Sequence, residues 1–169
     1  MKTFGQRLER ILHVIVDVQQ VIASTLLVVI MVLVTFDVAG RNIWSHPIQG
    51  SYELTELGSA LLVFLALAVT HRAGDHISID FVATKLPIRM QQWLYAFVEL
   101  VSMVVLFVIA RELFKNGVRM MERGVTTTDL SIPTYPVLYV MTFATVIFAL
   151  VALMKSIHHV MKAVKAYES

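Results

Sequence analysis

His71, Asp75 and His76 stand close together in the stretch Val69-Thr-His-Arg-Ala-Gly-Asp-His-Ile-Ser-Ile-Asp80, directly behind one of the most apolar runs of the chain. Imidazole and carboxylate are metal-ligating groups, and His71 and Asp75 form an i, i+4 pair if a helix continues past Thr70. Gly74 interrupts the set and the surroundings turn polar, so the sequence favours a loop or interface cluster over a metal centre. Arg72 and His76 are then placed to pair with acidic groups or lipid phosphates where a helix leaves a membrane.

Three further groups have residue types that can do chemistry. Glu53 and Glu56 are i, i+3 and share a helix face. Paired carboxylates can divide acid and base roles, but no nucleophile or oxyanion donor accompanies them, and two acids at a helix start also suit the macrodipole. Arg41 is their possible partner. Glu99 lies within an apolar run, where an ionisable group costs at least about 2.5 kcal/mol to insert and usually faces protein or a water-filled path. It reads either as an ion or proton site or, since a relay needs several such groups, as a carboxylate bonded to another helix. Arg111, Lys115, Arg119 and Arg123 recur every four residues, with Glu112 and Glu122 as partial counter-charges. That stripe is a solvated face or a docking site for an acidic surface outside the membrane.

The elements that must carry these residues are membrane spans. Charged residues make up 15% of the chain, well under the quarter or so of a soluble domain, and the mean hydropathy is +0.74. Four apolar runs, at residues 18–37, 52–71, 91–110 and 135–154, approach the roughly 20 residues that cross a bilayer. None shows the strand alternation of a barrel, so each is expected to be a helix. The first run exceeds a secretory apolar core and has 17 residues before it, which favours an uncleaved anchor. Span two must take Glu53 and Glu56 to the interface. Trp93 and Tyr95 anchor one end of span three, and Thr134 is the expected N-cap of span four, with Pro136 in its first turn.

Phe4, Leu8, Ile11, Leu12 and Ile15 fall on one helical face, which predicts an amphipathic interfacial helix before span one; a shorter one is expected from Phe81 to Pro87. The fold expected is therefore an all-α membrane protein, a single domain over residues 1–169 with four transmembrane helices and two interfacial ones. Nine Lys and Arg fall on the side of the termini and the second loop, against five on the other side, which places both termini in the cytoplasm.

Several function classes are disfavoured. There is no cysteine for disulfides, thiolate metal sites or nucleophiles, and the cations are not gathered on one face as a nucleic-acid partner requires. All six histidines lie outside or at the ends of the spans, where haem ligation is not expected. The repeats and broken helices of a self-sufficient transporter are missing from the sequence. With no cofactor and no catalytic set expected, the inference is a subunit that supports another protein.

Arg41-x-x-Trp44, Glu53-Leu-Thr-Glu56, the run Phe64-Leu-Ala-Leu-Ala68, Arg72, His76-Ile-Ser-Ile-Asp80 and Leu130-x-Ile132-Pro133 resemble the small membrane subunit of tripartite ATP-independent periplasmic (TRAP) transporters. Span four departs from many members in lacking an internal proline. The resemblance implies a bacterial inner-membrane complex. In it a large membrane subunit moves the solute, a periplasmic solute-binding protein delivers it, and a sodium gradient drives uptake of a carboxylate such as a dicarboxylate, sialic acid or another sugar acid. The small subunit braces the large one. The resemblance further makes Arg72, His76 and Asp80 architectural or subunit-contacting, and Trp44 with them; on that basis Arg41, Glu53 and Glu56 are expected to fix the periplasmic end and the Arg111 to Arg123 stripe to face the binding protein. Two rivals from other classes are an independent four-helix exporter, whose carboxylate would belong in the first span, and a structural subunit of a membrane enzyme or cytochrome.

Overall fold

In hydrocarbon every backbone N–H and C=O must bond within its own segment, so long apolar runs without interior proline fold as helices. The computed structural model describes residues 2–73 and 87–165, with side chains at 10–71, 87 and 90–164. Among these residues the chain forms four helices, α1 (Lys2–Ile43), α2 (Ser51–Ala73), α3 (Ile88–Glu122) and α4 (Tyr135–Lys165). Each is long and apolar enough to cross a membrane. No strand occurs among the described residues beyond an isolated antiparallel bridge between Thr126 and Pro133.

The helices overrun the apolar segments. α1 is about 63 Å long, α3 about 52 Å and α4 about 46 Å at 1.5 Å per residue, against about 30 Å of hydrocarbon. The amphipathic segment expected as a separate surface helix is continuous with span one, because nothing between Gln6 and Asp17 breaks a helix. Of its expected apolar face, Leu12 is buried while Ile11 is exposed. The short helix expected over Phe81 to Pro87 lies outside the described residues, except that Pro87 caps the start of α3 with extended backbone.

Two hairpins, α1 with α2 and α3 with α4, join through α2 and α4, and the α3–α4 contact is the most extensive. Buried alanines line these seams: Ala68 on α2, Ala96 and Ala110 on α3, and Ala144, Ala149 and Ala152 on α4. Small side chains let helix backbones approach where lipid supplies no hydrophobic drive for association. One core gathers Leu12, Val16, Ala68, Leu106, Phe148 and Val151. By contrast, the outward faces of α1 and α3 are apolar and exposed, from Val21 to Phe36 and from Phe97 to Ile109.

The turns follow the residues that break helices. Ser45 and Gly50 have positive φ after α1, and Gly124 and Ser131 after α3. Gly50 has φ +75°, and a Cβ there would lie 2.3 Å from the Leu130 side chain. The left-handed backbone alone costs a side-chain-bearing residue about 1–2 kcal/mol. Gly50→Ala is therefore expected to lower stability by about that amount in thermal unfolding of the detergent-solubilised chain; an unchanged midpoint would mean that the turn and Leu130 relax freely.

Candidate functional site

Polar groups in a membrane bundle are costly unless they meet one another, so their meeting points mark the functional architecture. They gather at the two ends of the bundle. At the hairpin end, Asp37 in the last turns of α1 accepts hydrogen bonds at 2.8 Å from Arg41 Nη2, one turn on, and at 2.8 Å from the backbone N–H of Ile48. This closes the connection to α2 on its own helix. Glu53, in the first turn of α2, reaches the other hairpin: its Oε1 accepts the N–H of Asp129 at 2.6 Å and its Oε2 the N–H of Leu130 at 3.1 Å. The segment it holds is compact. The N–H of Thr127 donates to the Ile132 carbonyl at 2.9 Å, the N–H of Ile132 to Thr127 Oγ1 at 3.0 Å, and Thr134 Oγ1 to the Val125 carbonyl at 3.3 Å. Thr134 thus precedes α4 as expected, but its hydroxyl ties the loop back and leaves the helix amides alone.

At the terminal end, His71, Glu99 and Lys155 draw α2, α3 and α4 together. His71 Nε2 lies 2.8 Å from Glu99 Oε2, an ion-pair distance not aligned as a strict hydrogen bond. The Lys155 ammonium donates to the His71 carbonyl. Ser156 Oγ donates to the Ala96 carbonyl at 2.9 Å, and His159 Nδ1 meets Gln92 Oε1 at 2.8 Å. The His71 side chain is almost wholly buried against Phe148, with ring centroids 4.9 Å apart. Gln19 on the inner face of α1 is also buried, and its amide has no hydrogen-bond partner among the described residues. No group of three or more His, Asp or Glu able to hold a metal ion occurs among the described residues.

Between these ends the described residues form an open apolar groove of about 390 Å³, lined by Phe114, Tyr139, Thr142, Phe143 and Val146. Tyr139 packs on Phe114, and a Cβ at Gly117 would touch its ring.

The family model described as tripartite ATP-independent periplasmic transporters, DctQ component, matches residues 30–161, a stretch that holds both polar clusters. The chain belongs to this family. It is a small membrane subunit of a TRAP transporter, a multi-pass membrane protein of a transport complex. No curated protein matches the sequence.

In this TRAP subunit the residues singled out from the sequence occupy distinct places. Glu53 is buried in the loop cradle, whereas Glu56, one turn along, is exposed. Arg41 lies on Asp37, and Trp44 is exposed just beyond the end of α1. Glu99 meets groups of its own bundle. Arg111, Lys115, Arg119 and Arg123 are all exposed, with Lys115 3.1 Å from Glu112 and Arg119 Nε donating to the Lys115 carbonyl at 3.4 Å. Since Tyr139 is level with Gly117, Arg119 and Arg123 stand at the tip of the α3–α4 hairpin. His76 and Asp80, with the side chain of Arg72, lie outside the described residues. Asp37 and Lys155 escaped the sequence reading. For Asp37 the signal was present, an acid four residues before Arg41; Lys155 meets a backbone carbonyl 84 residues away, which no spacing encodes.

Proposed function

We propose that this chain braces the large membrane subunit of a TRAP transporter for sodium-coupled uptake of a carboxylate solute delivered by a periplasmic binding protein. In a bacterial inner membrane its termini and the α2–α3 connection face the cytoplasm, as the excess of Lys and Arg there favours. The hairpin end faces the periplasm. Together with family membership, the observation that carries the bracing role is the disposition of the ionisable groups: Asp37, Glu53, Glu99 and Lys155 are spent on joining helices and loops to one another. A rigid frame is what a companion needs to hold the static part of a permease. Arg72, His76 and Asp80 serve the cytoplasmic exit of α2 as architectural or subunit-contacting residues.

Arg119 and Arg123, at the hairpin tip, receive an acidic surface of the binding protein, with Arg111 and Lys115 extending the positive field. Two measurements test the reading. A mild-detergent pull-down of the tagged chain from its native membrane is expected to bring a large polytopic membrane subunit in stoichiometric amount; a chain recovered alone would sink it. Charge reversal, Arg119→Glu with Arg123→Glu, is expected to reduce solute uptake by roughly fivefold with that recovery unchanged, since exposed charges steer docking more than they stabilise a bundle. Unaltered uptake would remove the docking role and leave the bracing role standing.

A further inference from the structure

α2 has two faces of different chemistry. Inward, Leu65, Ala68 and His71 are buried, and Gly58 packs so closely on α1 that a Cβ there would lie 3.0 Å from Ile30. Outward, Tyr52, Glu56, Ser59, Val63, Leu67 and Thr70 are exposed. Steps of three and four residues place these six within one narrow stripe of the helix surface. The outward faces of the neighbouring spans differ. α3 exposes Phe97, Leu100, Val101, Val104, Val105 and Val108 with no polar residue among them, and α1 from Val21 to Phe36 exposes a broad Val, Leu, Ile, Met and Phe surface with no charge, in which the exposed hydroxyls are Ser24, Thr25 and Thr35 and both threonines bond to carbonyls of their own helix.

The stripe is not a surface suited to lipid. α2 is about 34 Å long, little more than the hydrocarbon thickness, so it has no length to spare for lifting its polar residues clear. Counting from Ser51, Glu56 lies about 7–8 Å along the axis and Ser59 about 12 Å. Glu56 makes no hydrogen bond or ion pair among the described residues, unlike Glu53 on the preceding turn. An ionisable side chain in a span normally faces protein or water, and hydroxyls and small residues mark helix–helix contacts in lipid.

We infer that the stripe from Tyr52 to Thr70 is the seam against the large membrane subunit, and that its occupant is a transmembrane helix presenting a hydrogen-bond donor opposite Glu56. The helix lies close at Ser59, where the small side chain admits its backbone. The inference rests on the bracing role proposed above and specifies its surface: the outer face of α2 meets protein and the outer face of α3 meets lipid.

The chain has no cysteine, so single-cysteine variants are clean probes. Ser59→Cys, Val63→Cys, Val104→Cys and Val108→Cys, each carrying a benzophenone maleimide, are irradiated in native membranes that contain the whole transporter. Expected are adducts with the large membrane subunit from positions 59 and 63, at least about fivefold more than from 104 and 108. Equal adducts from both faces, adducts only from 104 and 108, or chain-to-chain adducts from 59 and 63 overturn the assignment. A second measurement avoids bulky labels: Glu56→Leu is expected to lower the large subunit recovered in the detergent pull-down by about tenfold, and Glu56→Gln by less, since an amide still accepts a hydrogen bond. Unchanged recovery with Glu56→Leu overturns the role of the acid. Absence of the large subunit from the wild-type pull-down overturns the bracing role itself; its presence there without adducts at 59 and 63 overturns the α2 face alone.

Discussion

Glu53→Ala should release the α3–α4 loop from the start of α2. The carboxylate takes two consecutive backbone N–H groups, those of Asp129 and Leu130, so its loss strips the acceptor from both at once. Hydrogen bonds to a charged group are the strong ones, and a backbone donor left without an acceptor carries the full cost of its lost solvation. The neighbouring hydroxyls are already engaged: Thr127 Oγ1 accepts from the N–H of Ile132, and Thr134 is tied to Val125. The consequence is local. The helices remain joined by their alanine seams, while the segment from Arg123 to Pro133 opens more often. Trypsin cleavage after Arg123, which stands at the C-cap of α3, should therefore speed up on the order of tenfold, because cleavage follows the population of the open form. Glu53→Gln retains one acceptor oxygen and should fall between wild type and Glu53→Ala. An unchanged cleavage rate in Glu53→Ala would show that the loop's own bonds suffice. Arg123, at the start of the released segment, loses its fixed position while Arg119 keeps its place on α3, so under the docking role proposed above uptake should fall, and by less than in the Arg119→Glu, Arg123→Glu variant.

How much of this was legible in the sequence depends on the range over which each interaction acts. The four spans could be read because lipid imposes a length and a polarity on each segment separately, and a run such as residues 18–37 carries that information within itself. The helix ends could not, since Arg111 and Lys155 end an apolar run without ending a helix; the helices stop just before Gly124 and start next to Pro87 and Pro136, where φ constraints act. The polar pairs divide in the same way. Asp37 with Arg41 follows helical spacing, whereas the partners of Glu53 are backbone amides 76 and 77 residues away and have no sequence signature. His71 is conspicuous as an ionisable residue at the end of an apolar run, and its closeness in sequence to Arg72, Asp75 and His76 points to a local loop or interface cluster. Its burial beside Phe148 and its contact with Glu99 follow from how α2 and α3 both lean on α4, which is tertiary information.

The junction of His71, Glu99 and Lys155 supports the second large effect. Breaking one partner of a buried ion pair in a soluble protein costs about 3–5 kcal/mol, because the other charge is stranded. In membranes the comparable figures are smaller, averaging about 0.6 and reaching about 1.7 kcal/mol, because the unfolded helices also find partners in the bilayer. His71 decides between them. It is almost wholly buried and contacted from both α3 and α4, so it cannot turn to lipid headgroups, whereas Lys155 is partly exposed and its long stem can carry the ammonium outward. The expected result is therefore near the upper membrane value. Glu99→Leu and His71→Leu should each destabilise the bundle by about 2 kcal/mol, and the double variant should cost less than their sum by about 1–1.7 kcal/mol, read from equilibrium unfolding in mixed micelles. Additivity within about 0.5 kcal/mol would show that the two side chains are neighbours without being coupled. Glu99→Gln separates a strut from an ion path. A strut tolerates the amide, which still meets His71, and uptake by the complete transporter should stay near the wild-type rate. Lost uptake in a Glu99→Gln variant of normal stability would instead make Glu99 a carrier of charge, because the amide keeps the side chain's shape but cannot take up or release a proton.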